Sequence, residues 1–329
     1  MALLPTELQD FEEALTAEPS VPTADAIPTI YSLYYQEVRA TVEDLWNSSP
    51  HLLYGAAYNR GQEKLPGLFL DAWRAWTTVE LGDAFPHAYA TAGASEALRE
   101  LIRPGIRVNT FEGDYEGFWR LAQDRGIPFV VRPRGQCVGA TYDDTDVFFL
   151  SDPSSIDGDH LDGLDSWIDE MERRHPRVSI VVDVTYVGAT KVNRARDFSR
   201  HPNVKVVVFS LSKPFGVYYH RIGGVFSRNP IPVLEHGNVW FVNPFSLALG
   251  TMLMRRFQPG ELPRRYAHVQ EQVLADAIAQ GIVPASAKAG NVILFGIGPE
   301  GDARNRRVDG TYRFCLTPGI YRHLYGESR

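Results

Sequence analysis

The chain has 329 residues, of which 44% are hydrophobic and 22% charged, and its formal net charge at pH 7 is −7. This composition is typical of globular proteins and excludes disordered and fibrous classes. Because nucleic-acid binders usually carry a basic patch or stripe, an acidic chain is expected to bind a small molecule and no nucleic acid.

The sequence predicts neither a secretion signal nor a membrane span. Cys137 and Cys315 are its only cysteines, too few to predict a disulfide framework or a thiolate metal site, so no metal is expected. No apolar run approaches the roughly 18 to 20 residues that span a bilayer, and residues 1–20 lack the basic and apolar regions of a secretion signal. We therefore expect a cytoplasmic protein that does not bind membranes.

From about residue 84 onward, short β-branched or aromatic runs alternate with longer amphipathic stretches, which predicts a sheet covered by helices on both faces. The predicted strands are His87–Thr91, Ile106–Phe111, Pro128–Arg132, Asp146–Leu150, Val178–Val182, Val204–Phe209 and Ile222–Phe226. The predicted helices between them are Ser95–Ile102, Tyr115–Arg125 and Leu161–Arg174. The apolar runs SIVVDV and VKVVVFS favour strands buried on both faces, and hence a largely parallel sheet.

The pattern changes after Pro230. Residues 262–280 predict one long helix, and the segments NVILFGI and TYRFCLT predict strands of a second, smaller unit that the N-terminal arm joins. We therefore predict a large domain over residues 50–240, and a small α+β domain formed by residues 1–49 and 241–329.

Candidate site residues follow the predicted strands, because ligands of open α/β sheets bind beyond the carboxyl ends of the strands. Gly93, Ala94 and Ser95 follow the first strand and begin a helix whose free backbone N–H groups can hold an anion. The alternative is that Ser95 is an ordinary helix N-cap.

Two later strand ends carry ionisable side chains. Asp183 is either a loop or capping acid, or a partner for a pyridinium nitrogen that it keeps protonated. Lys213 follows a buried run in the segment SLSKPFGVYYHRIGG, near Ser210 and Ser212, with Arg221 eight residues further on. A lone lysine is ordinarily a solvated surface charge, but these surroundings favour an amine with a lowered pKa that is suited to Schiff-base chemistry.

These segments resemble the fold-type I pyridoxal-phosphate enzymes, and within them the class I/II aminotransferase group. SLSKPFGVYYHRIGG is similar to that group's S-x-S-K motif followed by a phosphate-binding arginine. The resemblance implies that Lys213 holds pyridoxal phosphate as an internal aldimine. It also implies that Ser210 and Arg221, together with Ser212, bind the phosphate.

Other segments match the group in the same order along the chain. DVTY resembles its D-x-x-Y motif, which implies that Asp183 pairs with the pyridine nitrogen and that Tyr186 binds the ring hydroxyl. GASEAL resembles the glycine-loop phosphate cup formed here by Gly93, Ala94 and Ser95. DYEGF implies that Tyr115 stacks on the cofactor ring. TYRFCLT implies that Arg313 binds a substrate carboxylate, the alternative being a surface arginine on a strand.

Two segments depart from the group. DPSSIDG stands where N-P-x-N-P-T-G is usual, which puts Ser155 in the position of the asparagine that bonds the ring hydroxyl. YGAAYNRGQEKL resembles a segment in which a tyrosine reaches the phosphate in the partner subunit, and both Tyr54 and Tyr58 are candidates for it, the alternative for either being an ordinary core aromatic. The resemblance thus implies a homodimer.

The resemblance also implies a three-layer α/β/α large domain with a mostly parallel sheet and a trimmed small domain. The implied activity is that of an aminotransferase acting on an amino acid or related amine, with Lys213 as the general base that moves the α-proton. The alternatives are a pyridoxal-phosphate-dependent lyase, decarboxylase or cyclase of an amino acid and, outside enzymes, a catalytically silent binding protein of the same fold. A nucleotide-binding protein that uses GASEAL is disfavoured, because the chain lacks the G-x-G-x-x-G and G-x(4)-G-K-[ST] loops.

Overall fold

A computed structural model describes residues 32–48, 64–240, 242–301, 306–307 and 310–326 of the chain. The strands in these ranges are β1 (Val79–Glu80), β2 (His87–Thr91), β3 (Arg107–Phe111), β4 (Phe129–Arg132), β5 (Asp146–Ser151), β6 (Ser179–Asp183), β7 (Arg196–Asp197), β8 (Val204–Ser210), β9 (Gly223–Ser227), β10 (Lys288–Ala289), β11 (Phe295–Gly298) and β12 (Tyr312–Cys315). The helices are α1 (Gln36–Ser48), α2 (Leu65–Trp76), α3 (Ala94–Leu101), α4 (Gly117–Asp124), α5 (Arg134–Cys137), α6 (Leu164–Arg174), α7 (Pro232–Trp240), α8 (Pro244–Arg256), α9 (Glu261–Arg265), α10 (Ala267–Ala279) and α11 (Thr317–Tyr325).

The main sheet has seven strands in the order β2-β9-β8-β6-β5-β3-β4. Strands β8, β6, β5, β3 and β4 pair in parallel, whereas β9 runs antiparallel to both β2 and β8. The prediction of a largely parallel central sheet is confirmed. The seven predicted strands are all present, with ends that differ from the predicted ones by no more than one residue.

Helices pack on both faces of this sheet. Alternate residues of a strand point to opposite faces, so a single strand contacts helices on both sides. On one face Phe209 of β8 stacks on Trp73 of α2, with ring centroids 4.4 Å apart. On the other face Val208 belongs to a separate apolar cluster that contains Leu98 of α3 and Phe118 of α4. The three-layer α/β/α arrangement is therefore present, and both faces of the central strands are buried.

A second sheet lies near the C-terminus, with the antiparallel order β10-β11-β12. The predicted strand NVILFGI is correct only from Phe295 onward. Ile293 and Leu294 form a turn, and Gln270 donates its side-chain amide to the carbonyls of Val292 and Phe295, 3.1 and 3.0 Å away. The Phe295 N–H also donates to the Val292 carbonyl at 3.4 Å, so the segment bends although it is apolar and buried.

The predicted single helix over residues 262–280 is wrong, because it is divided into α9 and α10 at Tyr266. The backbone of Tyr266 leaves helical values there, at φ −97° and ψ 9°. Its ring packs against Tyr35 with centroids 5.3 Å apart, and its hydroxyl donates to Glu37 at 2.8 Å. Burial against the N-terminal segment therefore decides the break. The domain boundary near residue 240 stays a prediction.

No helix in the described ranges is both long and apolar enough to cross a membrane.

Candidate active site

The carboxyl ends of β2, β6 and β8 lie at one edge of the main sheet. Strand β6 pairs in parallel with β8. Strand β2 also runs parallel to β8, because β9 lies between them and is antiparallel to both. The residues that follow these strands therefore lie together at this edge, although they are far apart in sequence. For example, Arg221 donates a hydrogen bond to the carbonyl of Ala92, 129 residues before it.

The six residues predicted to bind phosphate lie at this edge, and we call them the anion cradle: Gly93, Ala94, Ser95, Ser210, Ser212 and Arg221. Gly93 is the N-cap of α3 and has a φ of +76°. A Cβ atom at Gly93 would lie 3.0 Å from Nη2 of Arg221 and 3.6 Å from Oγ of Ser210. Ser210 donates its hydroxyl to that of Ser212 at 2.9 Å. Glycine thus allows the guanidinium and hydroxyl groups to approach the first turn of the helix.

The capping role considered for Ser95 is wrong. Gly93 is the N-cap, and Ser95 is an exposed residue in the first turn. The backbone N–H of Ala92 donates instead to the carboxylate of Glu96. The remaining N–H groups at the start of α3 have no partner within the helix, and they give its N-terminus a partial positive charge.

Arg221 has a φ of +51° and is the only non-glycine residue with positive φ in the described part of the chain. This left-handed conformation is costly for an arginine, so the surrounding contacts must hold it. Arg221 donates to the Ala92 carbonyl at 3.0 Å, and its guanidinium lies over the Tyr218 ring, 5.4 Å from the centroid. The backbone strain positions a cation at the N-terminus of α3.

Lys213 lies in the turn after β8 and is partly buried. Burial lowers the pKa of its amine to about 8, and the charge of Arg313 lowers it further while Cys315 acts in the opposite direction. A fraction of the amine is therefore neutral near physiological pH, as a nucleophilic or proton-accepting lysine requires.

Asp183 is the last residue of β6, and only 5% of its surface is exposed. Its carboxylate accepts a hydrogen bond from the backbone N–H of Thr185 at 2.9 Å. Burial raises the pKa of Asp183 to about 6, and the charge of Asp114 raises it further. A buried acid of this kind is stabilised in its ionised form by a cation beside it.

Tyr186 and Tyr115 lie close enough to Asp183 for its charge to act on both phenols. Burial raises the pKa of Tyr186, which the charge of Arg313 lowers. Burial also raises the pKa of Tyr115, although 41% of its surface is exposed. The Tyr115 ring packs edge-to-face on Phe118 with centroids 5.4 Å apart.

The structure adds Asp114 to these residues. Its buried carboxylate accepts hydrogen bonds from the Ser155 hydroxyl at 2.9 Å and from the backbone N–H of Ser151 at 2.9 Å. Burial raises the pKa of Asp114, whereas these bonds lower it. The sequence held a signal for Asp114, because it is an acidic residue that comes soon after a strand and directly before Tyr115. Asp183 was predicted from a similar position at the end of a strand.

Arg313 lies on β12 with 7% of its surface exposed, so the alternative of a surface arginine is wrong. It donates to the Ser155 carbonyl, and its guanidinium lies over the Phe295 ring, 5.6 Å from the centroid. Burial lowers the pKa of Arg313 to about 10. The small sheet therefore brings a cation to the Lys213 side of the site. Tyr54 and Tyr58 lie outside the described residues.

No family model and no curated protein matches the sequence. Solved structures match it by fold. A pyridoxal-phosphate-bound C-S lyase from Staphylococcus hominis has a TM-score of 0.65 at 11% identity, over 97% of this chain and 95% of the other. A histidinol-phosphate aminotransferase from Sinorhizobium meliloti in complex with pyridoxal 5'-phosphate has a TM-score of 0.65 at 14% identity, over 98% and 96%. An L-threonine-O-3-phosphate decarboxylase from Porphyromonas gingivalis has a TM-score of 0.59 at 15% identity, over 91% and 100%.

At such identities the likeness concerns the fold and not the activity. The chain has the fold of fold-type I pyridoxal-phosphate-dependent enzymes.

Proposed function

We propose that the chain is an enzyme that binds pyridoxal 5'-phosphate covalently at Lys213 and acts, in the manner of an aminotransferase, on an amino acid or related amine. One observation carries the proposal: a lysine of lowered pKa directly follows Ser212 of the anion cradle after β8, and the adjacent strand β6 ends in a buried aspartate of raised pKa. Each of the three features matches a different part of this cofactor.

The residues fit the cofactor by their chemistry. The cradle supplies a guanidinium, three hydroxyls and backbone N–H groups, a donor set suited to a phosphate dianion. Gly93 keeps open the space that a Cβ would fill beside Arg221. Asp183 is buried without a cationic partner among its hydrogen bonds to Thr185, so a protonated ring nitrogen would relieve the cost of its burial.

Bound pyridoxal phosphate supplies an electron sink for the bond that breaks at the substrate's α-carbon. Lys213 would hold the cofactor through Nζ, and the same atom could accept a proton from the substrate. Asp183 would keep the ring nitrogen protonated, Arg313 would bind the substrate carboxylate, and Tyr115 would pack on the ring.

The ring hydroxyl would be bound mainly by Tyr186. Ser155 is its other candidate ligand, but the Ser155 hydroxyl donates to Asp114 at 2.9 Å. A hydroxyl has one proton to donate, so Ser155 would have to leave Asp114 to donate to the cofactor. This arrangement supports Tyr186 as the stronger donor and makes Ser155 a weaker substitute for the asparagine of the resembling group.

The fold leaves the reaction type open, because it is shared with a lyase and a decarboxylase. Elimination, decarboxylation or cyclisation of an amino acid is therefore the second candidate. Transamination needs a keto acid as the amino acceptor and elimination does not, so product formation with and without a keto acid separates them. A catalytically silent binding protein would bind the cofactor or an amine without turnover.

The test of the proposal is the absorbance spectrum of the purified protein with added pyridoxal phosphate, followed by borohydride reduction and peptide mapping. We expect a yellow protein whose reduced adduct maps to Lys213. The variant Lys213→Ala should give no adduct, whereas Lys288→Ala, which alters an exposed lysine, should behave like the wild type. A wild-type protein that takes up no cofactor would refute the proposal.

We also propose a cytoplasmic homodimer. Tyr219 is 90% exposed and Tyr218 is 50% exposed beside Arg221 of the anion cradle. A second subunit that covered these rings would bury apolar surface next to the site. Light scattering on the cofactor-loaded protein tests the dimer, and a monomer that still binds the cofactor would contradict it.

A further inference from the structure

Asp114 is a buried acid to which the proposed function gives no role. It lies in the loop after β3 with 7% of its surface exposed. Its carboxylate accepts hydrogen bonds from the backbone N–H groups of Tyr115 at 2.7 Å and Ser151 at 2.9 Å. The hydroxyls of Ser151 and Ser155 also donate to it. A buried carboxylate with these donors fixes the groups around it, because a donor that moved away would lose its partner.

The bonds of Asp114 join two loops at the edge of the main sheet. Asp114 follows β3, whereas Ser151 is the last residue of β5 and Ser155 lies in the loop after it. Since β3 and β5 are adjacent parallel strands, their carboxyl ends lie side by side. The bonds to Asp114 therefore determine where the loop after β5 lies relative to the main sheet.

The loop after β5 in turn supports Arg313. The Ser155 hydroxyl donates to Asp114 at 2.9 Å, and the Ser155 carbonyl accepts a hydrogen bond from the Arg313 guanidinium. Gly158 of the same loop lies against the Phe295 ring, where a Cβ atom would come within 2.4 Å. The Arg313 guanidinium lies over that ring, 5.6 Å from its centroid. The position of the loop therefore affects both the bond and the ring that hold Arg313.

Asp114 also acts on Asp183 through its charge. Asp183 ends β6, the strand next to β5, and the charge of Asp114 adds to burial in raising the pKa of Asp183. The Tyr115 and Tyr186 phenols interact with Asp183 as well, but phenols are neutral between about pH 5 and 8. Among these three groups, Asp114 is therefore the one whose charge affects the ionisation of Asp183 in this range.

We propose that Asp114 is a positioning residue with two effects. Through Ser155 it places the Arg313 guanidinium for the substrate carboxylate, and by its charge it disfavours ionisation of Asp183 unless a cation lies beside that residue. The inference rests on the proposed function, in which Arg313 binds the carboxylate and Asp183 pairs with a ring nitrogen. Asp114 acts through these residues and not by its own contact with the substrate.

The effect on Asp183 is tested on the cofactor-free protein by solution NMR, with the aspartate carboxyl carbons labelled and the Asp183 signal assigned from Asp183→Asn. In the wild type this signal should titrate with a midpoint at about pH 6. Asp114→Asn removes the charge and keeps the shape of the side chain, so the midpoint should fall by about half a pH unit or more. A midpoint that stays where it is would overturn the inference.

The effect on Arg313 is tested by calorimetric titration of the cofactor-loaded protein with butyrate, a non-reactive monocarboxylate. Asp114→Ala and Ser155→Ala should each bind butyrate about fivefold more weakly than the wild type. Asp114→Asn should keep most of the affinity, because its side-chain oxygen can still accept the Ser155 hydroxyl. The double variant Asp114→Ala/Ser155→Ala should bind within about twofold of either single variant. Losses that add, or no loss in Ser155→Ala, would contradict the proposed route through Ser155.

Asp146→Asn is the matched control. Asp146 is also a buried acid and accepts a hydrogen bond from Asn109 at 2.6 Å. It begins β5 whereas Ser151 ends it, so the two residues lie about 17 Å apart. The variant should share the loss of a buried charge and change neither the Asp183 midpoint nor butyrate binding. An equal change in Asp146→Asn would mean a general loosening of the fold and would refute the role of Asp114.

Failure of the proposed function gives a different result, since the protein would then take up no cofactor. The titration of Asp183 is made without the cofactor and does not depend on that outcome. A midpoint that falls in Asp114→Asn, and not in Asp146→Asn, would still support the action of Asp114 on Asp183. An unchanged midpoint would refute it in either case.

Discussion

Replacement of Asp183 by asparagine is expected to stabilise the cofactor-free protein and, at the same time, to weaken cofactor binding. The carboxylate of Asp183 is buried at the end of β6, where ionisation is costly without a cation. Asparagine has nearly the same shape, and its side-chain oxygen can still accept the N–H of Thr185, which Asp183 accepts at 2.9 Å. The substitution therefore removes the charge and keeps the main contact.

The magnitude follows from the pKa values of the two states. In the fold the pKa of Asp183 is about 6, and in an unfolded chain it is about 3.9. The folded state thus binds the proton more tightly, and the stability contributed by the protonated acid is lost as pH rises from about 4 through 6. Above about pH 7 the full penalty is about 3 kcal/mol, an upper estimate of what Asp183→Asn recovers.

Urea unfolding of the cofactor-free wild type and Asp183→Asn between pH 4.5 and 8 measures this difference. We expect the advantage of the variant to grow with pH and to level off above about pH 7. Asp71→Asn, at an exposed position of α2, controls for the loss of one negative charge. An absorbance titration should show the opposite effect on the cofactor, which we expect the variant to bind about tenfold to a hundredfold more weakly.

The reasoning fails if Asp183→Asn is less stable than the wild type at pH 8, or if the difference between them does not change with pH. The first result would mean that the fold already supplies a cation to Asp183. The second would mean that its carboxyl is hydrated and ordinary. Either result would remove the electrostatic reason for assigning a cationic ring nitrogen to this position.

Two further predictions concern the other parts of the site. The amine of Lys213 has a pKa of about 8, so its neutral fraction should rise about tenfold from pH 7 to pH 9 and then level off. The rate of cofactor capture, followed by stopped-flow absorbance, should rise in the same way. A rate that still rises steeply above pH 10 would indicate an ordinary surface lysine. Gly93→Ala places a Cβ 3.0 Å from Nη2 of Arg221 at a φ of +76°, so it should cost about 1 to 2 kcal/mol in denaturant unfolding and weaken the binding of inorganic phosphate to the cofactor-free protein. Gly105→Ala, at a φ of +95° with nothing within 4 Å, is its control, because it should share the backbone cost and leave phosphate binding unchanged.

The strands and the residues at their ends could be predicted from sequence because the signal is local. A run such as VKVVVFS is apolar at consecutive positions only when both faces of a strand are covered, and β8 is buried in this way. Once the strands are placed in a parallel sheet, their carboxyl ends meet at one edge. The neighbourhood of Gly93, Asp183, Ser210 and Lys213 then follows from topology alone.

The errors of prediction occur where distant contacts decide the backbone. Ile293 and Leu294 are as apolar as the residues of a buried strand. Their neighbours in sequence give no sign that the Gln270 side chain bonds the carbonyls on either side of them. The break at Tyr266 likewise depends on Tyr35 and Glu37, the latter 229 residues away. Such contacts leave no periodic pattern in the sequence.

Arg221 illustrates the same limit within the site. The resemblance of its segment to the S-x-S-K motif predicted it as an anion ligand, but an arginine gives no signal for the left-handed backbone that it adopts here, which is usually left to glycine. That conformation is fixed by the preceding turn and by the bond to Ala92, 129 residues away. The residue type was therefore predictable, and its orientation was not.

The residues that would recognise a substrate depend most on long-range contacts, and this explains why the sequence left the substrate open. Asp114 and Ser155 are 41 residues apart, and Ser155 and Arg313 are 158 apart, yet the two bonds connect the main sheet to the small one through Ser155. Arg307 adds a third link, to Gly113. In the proposed function, cofactor chemistry belongs to strand ends that sequence patterns locate, whereas the substrate carboxylate would meet Arg313, whose position against the main sheet only the folded chain determines. We therefore expect a change of substrate to need changes around Arg313 and Ser155, with Lys213, Asp183 and the anion cradle left as they are.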